Sequence, residues 1–309
     1  YLFLFYLKHR YLTFIKYKVF LFMIDTLIFS GGGVAGISFI GTLSAIENNY
    51  DLKNIKTIIG SSSGSVIGLM ISLGYTSRQL TELILNIDLS NLINISDDFC
   101  NDFLNNFGMD HGEKLLNLLI IFLKNKYHKK DITFKELYEH YNIELVITGT
   151  CINKHRVDYF NYQDNPDMSV LKAVRISISI PFYFTSPKID DNIYADGGII
   201  DNYPIGYKYL RKDSFLGFNL SSKFHEKETI INVQDYIHSI ITCIRKKTST
   251  TNIYNTQTIE IDYDVNLMDF TINNEMGLAN FSFIVNHMMT KDPVVFISID
   301  SVIINLKAI

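Results

Sequence analysis

Residues 55–73 read IKTIIGSSSGSVIGLMISL, a stretch in which serines and glycines separate two apolar runs. Ile55–Ile59 predicts a short buried strand and Val66–Leu73 a buried helix, and the change between them falls on Gly60-Ser61-Ser62-Ser63-Gly64. This pentapeptide matches G-x-S-x-G, whose small residues let the backbone reverse sharply and leave the central hydroxyl projecting from the turn. The N-terminus of the helix adds backbone N–H groups and a positive dipole end. The stretch therefore predicts a strand–turn–helix unit with Ser62 as a nucleophile.

A glycine-rich turn lies one strand–helix unit earlier. Thr26–Phe29 predicts a buried strand, Val34–Glu47 predicts a helix, and the turn between them reads Gly31-Gly32-Gly33-Val34-Ala35-Gly36. Successive glycines can point their N–H groups at a negative centre, either the oxyanion of an ester or a phosphate. A dinucleotide-binding turn would want an acidic residue about 20 positions on, at the end of the next strand. That strand ends in Ile58-Ile59-Gly60, so NAD binding is the less favoured reading.

An aspartate supplies the third element. The stretch Asp196-Gly197-Gly198-Ile199-Ile200-Asp201-Asn202-Tyr203-Pro204 follows the short predicted strand Ile193–Ala195. An aspartate at a strand end, followed by two glycines that permit close approach, is placed to accept a proton from a serine hydroxyl. The alternative is a turn aspartate that bonds its own backbone. Both glycine turns and Asp196 fall at predicted strand ends, where α/β sheets place ligand chemistry.

The rest of the chain alternates strands with helices. Further strands are predicted at Glu144–Cys151, Arg156–Asn161, Phe215–Leu220 and Thr258–Tyr263, further helices at Val170–Ser177 and Val233–Ile244, and mostly helical structure over residues 78–138. This alternation predicts an α/β fold with a mainly parallel central sheet sandwiched between helices. Residues 293–309 are apolar and receive no assignment. No repeat or linker divides the chain, so we expect a single domain over residues 23–309.

Composition narrows the classes of function. The chain has 309 residues, 47% of them hydrophobic and 19% charged, which is enough to bury a sizeable core. Its formal net charge of -4 gives no global attraction to nucleic acid or to an anionic membrane, so nucleic acid is not an expected partner and membrane contact would be local. Cys100, Cys151 and Cys243 are widely spaced and odd in number, which fits neither a disulfide framework nor a metal cluster. We therefore expect a reducing, cytoplasmic location and no metal.

Residues 1–22 form an N-terminal extension of uncertain role, aromatic and aliphatic but broken by basic side chains. No apolar run there approaches the roughly 20 residues that span a bilayer. The basic, apolar and small-residue order of a signal peptide is also absent. Two interpretations stay open: a segment that lies at a membrane interface, or upstream translated sequence without a role, since Met23 directly precedes the first strand.

Together these motifs resemble the patatin-like phospholipase family, whose pattern is a GGGxxG oxyanion loop, a GxSxG elbow and a DGG or DGA motif. Asn202 and Pro204 are similar to the N-x-P that follows the last motif. Residues Ala173–Phe184, AVRISISIPFYF, are similar to the family's alanine- and serine-rich helix that runs into proline and aromatic residues. The resemblance covers roughly residues 26–204.

The resemblance implies a patatin-like fold and a serine acyl hydrolase that needs no cofactor. Ser62 would be the nucleophile, Asp196 the general base, and the N–H groups of Gly31, Gly32 and Gly33 the oxyanion hole. The supporting motif residues are Gly36, Gly60, Gly64, Gly197, Gly198, Asn202 and Pro204. The implied reaction, a step in lipid degradation, releases fatty acid from phospholipid or lysophospholipid esters through an acyl-enzyme, with any membrane contact peripheral.

Three alternatives remain at this stage. The chain could hydrolyse neutral lipids or small esters, or it could be a catalytically silent lipid-binding module, since Ala35 stands where many family members carry arginine or lysine. The order Ser, Asp, His would also suit a catalytic triad, because His225, His238 and His287 follow Asp196. These histidines lie in segments without a glycine turn, so the Ser–Asp dyad is favoured.

Overall fold

The computed structural model describes residues 24–49, 51–222, 230, 233–248, 257–263, 294–299 and 302–307. The N-terminal extension, His225 and His287 lie outside these residues. Within them the strands are β1 (Thr26–Phe29), β2 (Thr57–Gly60), β3 (Glu144–Cys151), β4 (Arg156–Phe160), β5 (Lys188–Ile189), β6 (Asn192–Asp196), β7 (Phe215–Ser222), β8 (Thr258–Tyr263), β9 (Val294–Ile299) and β10 (Val302–Lys307). The α-helices are α1 (Ser38–Asn49), α2 (Ser63–Ser72), α3 (Ser77–Leu85), α4 (Phe99–Asn106), α5 (Glu113–Tyr127), α6 (Phe134–Tyr141), α7 (Val170–Ser177) and α8 (Val233–Thr248).

The strands form one sheet in the order β5-β6-β3-β2-β1-β7-β8-β10-β9, with β4 also paired to β3. The central pairs, from β3 through β2, β1 and β7 to β8, are parallel. The outer pairs are antiparallel on both sides. The predicted α/β fold with a central sheet flanked by helices is thus confirmed, and its parallel character belongs to the centre.

Most predicted elements have their predicted positions. β1, β3, β8 and α7 begin and end where the sequence pattern places them, and the predicted helical region 78–138 corresponds to the four helices α3 to α6, which run from Ser77 to Tyr141. The unassigned apolar stretch 293–309 contributes two strands, β9 and β10, which pair antiparallel. Apolar runs of this length, rich in valine and isoleucine, suit strands as well as buried helices, so the pattern alone could not decide.

The central strand β1 is buried on both faces. On one face Phe29 contacts the ring of Phe39 from α1 at 5.1 Å between centroids and stacks on Phe218 of β7 at 5.3 Å. On the other face Ile28 belongs to a second cluster with Ile59 and Phe215. Alternate side chains of a strand point to opposite faces, so β1 anchors both layers. The two turns that follow β1 and β2 are therefore built on buried strands at the centre of the sheet.

Two glycines bring α2 against the ends of β1 and β2. A Cβ added at Gly64 would overlap the carbonyl groups of Phe29 and Ser30, and one added at Gly60 would overlap the carbonyl of Gly64. The Gly64 N–H also donates to the Ser61 carbonyl at 2.8 Å. This close approach determines the height at which the helix begins above the sheet.

We expect Gly64→Ala to lower the free energy of unfolding by about 1–3 kcal/mol, because the added methyl group must push α2 away from β1. Gly206→Ala is the matched control, since a Cβ at exposed Gly206 would meet no atom within 4 Å. Its effect should stay within about 0.5 kcal/mol. Chemical denaturation of both variants checks this, and equal midpoints would contradict the close packing described.

Candidate active site

Ser62 lies in a strained turn between β2 and α2. Its backbone has φ 49° and ψ -123°, a positive φ that is unusual for a residue other than glycine. Such a conformation costs on the order of 1–3 kcal/mol and persists only where the surroundings enforce it. Here the Ser62 N–H donates to Ser177 Oγ at 2.8 Å, and the Ser62 carbonyl accepts from the Ser65 N–H at 2.8 Å. The strain is the geometry expected of a nucleophile elbow.

The Ser62 hydroxyl bonds directly to Asp196. Ser62 Oγ donates to Asp196 Oδ2 at 2.7 Å, and each residue is only 6% exposed. The other carboxylate oxygen, Oδ1, accepts the Gly198 N–H at 2.7 Å. Two hydrogen bonds also hold the Asp196 backbone. The Asp196 N–H donates to the Ser179 carbonyl at 2.8 Å, and Thr150 Oγ1 donates to the Asp196 carbonyl at 2.8 Å. One oxygen is thus fixed while the other faces the serine.

The direction of β6 explains how Asp196 reaches Ser62. Gly60 at the end of β2 pairs with Ile147, so residues 148–151 of β3 extend beyond β2. β6 pairs antiparallel with this extension, with Asp196 opposite Gly149. Asp196 is therefore level with the residues that follow Gly60. The rule for parallel strands, applied above to all three motifs, does not account for Asp196, because its strand runs the opposite way.

The glycine loop is clamped by Asn202. Asn202 Nδ2 donates to the Gly31 carbonyl at 3.1 Å, and the Gly31 N–H donates to the Asn202 carbonyl at 2.9 Å. This corrects one expectation: the Gly31 N–H is already engaged and does not point into the site. The chain then enters a 3-10 helix, Gly33–Ile37, with Gly33 at φ 53°. Gly32 and Gly33 line the cleft beside Ser62, and their N–H groups find no acceptor among the residues that the structure describes.

The other motif residues act through packing. A Cβ at Gly36 would press on the Ser63 side chain, and one at Gly197 would overlap Thr148. Pro204 is buried but does not line the cleft.

Three polar residues that bond Ser62 or Asp196 were missed by sequence reasoning: Ser177, Ser179 and Thr150. The resemblance of Ala173–Phe184 pointed to the segment that holds the two serines without singling out either. Thr150 carries no signal, because its contact joins residues 46 positions apart.

The cleft above Ser62 has a polar floor and apolar walls. Its empty volume is about 350 Å³, part of it open to solvent. The walls come from Ile180, Pro181, Ile199 and, on α8, Ile241. These side chains are placed to contact the apolar part of an ester whose carbonyl lies over the serine.

The structure also bears on residues away from Ser62 and Asp196. His238 lies on α8 as predicted, whereas His225 and His287 fall outside the described residues. In the described part of the chain, no three His, Cys, Asp or Glu side chains are grouped to hold a metal ion. None of the helices described there is long and apolar enough to cross a bilayer.

Comparison with known proteins places this geometry in a family. The profile described as Patatin-like phospholipase matches residues 27–207. An uncharacterized protein of Acanthamoeba polyphaga mimivirus is 31% identical over 262 residues, which cover 81% of this chain and 87% of that protein. A protein named as a probable lipid hydrolase, from Invertebrate iridescent virus 6, is 33% identical over 189 residues, which cover 60% of this chain and 64% of that protein.

A solved structure shows the same fold. VipD from Legionella pneumophila superposes with a TM-score of 0.53 at 15% identity, over 86% of this chain and 67% of that chain. The matched profile spans more than half of the chain and includes the glycine loop, Ser62 and Asp196. The chain belongs to the patatin-like phospholipase family.

Proposed function

We propose that this hydrolase releases fatty acid from phospholipid or lysophospholipid esters, with Ser62 as nucleophile and Asp196 as general base. The observation that carries the proposal is the 2.7 Å hydrogen bond from Ser62 Oγ to Asp196 Oδ2 inside a cleft with apolar walls. Membership of the family and the name of the iridescent virus relative support a lipid ester as the substrate class.

The first half of the reaction forms an acyl-enzyme. Asp196 takes the hydroxyl proton as Ser62 Oγ attacks the ester carbonyl carbon. The oxyanion that develops faces the N–H groups of Gly32 and Gly33, and each such donor contributes about 3–4 kcal/mol to lowering the barrier. The bond to the leaving alcohol then breaks, and the alcohol oxygen receives the proton from Asp196. The acyl group stays on Ser62 Oγ.

The second half repeats the same steps with water. Asp196 removes a proton from a water molecule that attacks the acyl carbon, and the oxyanion again faces the glycine loop. The fatty acid leaves, and Ser62 Oγ regains its proton from Asp196. The dyad returns to its starting state without a further reactant.

Position 35, where many family members carry arginine or lysine, is part of the hydrophobic core. Ala35 is buried and packs in the larger hydrophobic cluster. Residue 35 therefore supplies no positive charge to the oxyanion, and backbone N–H donors stabilise it instead. A chain without this cation could prefer neutral lipids or small esters, and assays that vary chain length and head group separate that alternative from phospholipid hydrolysis.

We expect Ser62→Ala to abolish fatty-acid release from mixed phospholipid vesicles, by about 10⁴-fold or more, because the nucleophile is lost. Ser63→Ala is the matched control: the Ser63 hydroxyl is buried and has no hydrogen-bond partner within the described residues. Its removal should change the rate by less than about tenfold. Release that survives Ser62→Ala would reject Ser62 as the nucleophile, and no release from the parent protein would favour a silent lipid-binding module.

Asp196→Asn should lower kcat by about 10²–10⁴-fold, since an amide keeps the shape of the side chain but cannot take the proton. Asp201→Asn serves as comparison, because half-buried Asp201 accepts a hydrogen bond from Tyr159 at 2.5 Å and belongs to the same loop. It should retain most activity.

A variant with His225, His238 and His287 all changed to alanine distinguishes the dyad from a triad. We expect it to keep its activity in the same vesicle assay, because Ser62 and Asp196 are already in direct contact. Loss in this variant alone would establish a histidine base instead.

A further inference from the structure

Helix α4 presents its apolar side chains to solvent. Leu104 is 73% exposed, and Phe99, Phe103 and Phe107 are between 39% and 46% exposed. Phe99, Phe103 and Phe107 are four positions apart, so they share one face of the helix and of its C-cap. A surface helix of a globular protein normally turns such a face toward the core. The orientation of α4 is therefore inverted.

Polar contacts on the inner side hold α4 in this orientation. Asp102 is only 8% exposed, and its carboxylate accepts Asn106 Nδ2 at 3.0 Å and lies 3.0 Å from His111 Nε2. The Asn106 carbonyl accepts the Ser186 N–H at 2.9 Å. Since its buried polar groups have partners, the helix is stable with its apolar face outward.

The inverted helix continues into the wall of the catalytic cleft. The Phe103 ring lies 6.2 Å from the ring of Phe182, which is itself 43% exposed and directly follows Ile180 and Pro181 of the wall. The Met109 and Asp110 N–H groups both donate to the Tyr183 carbonyl, at 2.9 and 3.0 Å. An apolar surface thus runs from α4 to the mouth of the cleft.

A buried arginine fastens the two segments together. Arg175 of α7 donates to the His111 carbonyl at 3.0 Å and to the Thr185 carbonyl at 2.9 Å, on either side of the junction. Its guanidinium also bonds Ser179 Oγ. Burial lowers the pKa of Arg175 to about 10, with the nearby Asp110 carboxylate opposing the change, so the side chain remains charged at neutral pH. A membrane or a protein that contacts α4 is consequently held at a fixed position relative to Ser62.

We propose that Phe99, Phe103, Leu104, Phe107 and Phe182, the α4 patch, form a docking surface for a zwitterionic phospholipid surface, from which the substrate enters the adjoining cleft. The proposal rests on the proposed function, because continuity with a cleft for lipid esters is what selects lipid over a protein partner. The charge pattern selects the type of lipid. Residues 99–107 contain one charged side chain, the inward-facing Asp102, and the exposed Asp97 and Asp98 precede them. Insertion of apolar side chains, not attraction to anionic head groups, is the binding mode that this pattern supports.

The test measures vesicle binding separately from catalysis. The full chain carrying Ser62→Ala is sedimented with phosphatidylcholine vesicles, alone and with Leu104→Gln added. Burial of one leucine side chain predicts binding that is weaker by about tenfold or more in the double variant. Leu85→Gln is the matched control, since Leu85 is 48% exposed on α3, which packs against α1; its binding should equal that of Ser62→Ala alone.

Salt and anionic lipid test the binding mode. Raising the salt concentration, or replacing part of the phosphatidylcholine with phosphatidylserine, should leave binding within about twofold, because the patch carries no basic side chain. Binding that rises steeply with phosphatidylserine and falls with salt would overturn the proposal in favour of a charged surface elsewhere.

Activity separates this proposal from the proposed function. With Ser62 intact, Leu104→Gln should lower the ratio of vesicle hydrolysis to hydrolysis of a soluble short-chain ester by about the same tenfold as binding. Unchanged binding and an unchanged ratio would overturn the α4 patch as a docking surface while leaving the dyad in place. No hydrolysis of either ester by the parent protein would instead reject the proposed function. The chain could also bind no vesicles but associate with itself. If Leu104→Gln then abolished that association, the patch would be assigned to contact with a second copy of the chain.

Discussion

The hydrogen bond between Ser62 and Asp196 joins two turns that are 134 residues apart in sequence. Much of the fold serves to keep these two turns within hydrogen-bonding distance of each other. Ser62 is positioned by an elbow that packs closely on the parallel centre of the sheet, because two glycines there leave no Cβ in the way. Asp196 is positioned by an antiparallel strand that pairs with the overhang of β3. The glycine loop is the third turn, and Asn202 holds it through two hydrogen bonds to Gly31. The site is thus a set of loops fastened to one another above a rigid sheet.

The local features of this site could be predicted from sequence because each depends on neighbouring residues. The elbow at Ser62 needs small residues within two positions of the serine, and the glycine loop needs consecutive glycines, so both leave a readable pattern. The Gly31 N–H shows the limit of such reasoning. Its availability depends on the carbonyl of Asn202, which no pattern around Gly31 reveals.

Features that depend on pairing between distant segments could not be predicted in the same way. The antiparallel direction of β6 follows from which strand it meets, and the apolar alternation of its residues is the same in either direction. Ser177 stabilises the strained backbone of Ser62 across 115 residues. The inverted orientation of α4 was also invisible, since a sequence with phenylalanine at every fourth position normally indicates a buried face.

The long separations within the site also affect how the protein acquires its activity. The Asn202–Gly31 clamp joins residues 171 positions apart, so contacts of high sequence separation must form before the glycine loop is held in place. A ribosome adds roughly 5–20 residues per second, so the 134 residues between Ser62 and Asp196 take on the order of ten seconds to synthesise. During that interval the nascent chain already contains Ser62 but still lacks Asp196. The hydrogen bond between these two side chains can therefore form only after both segments have left the ribosome.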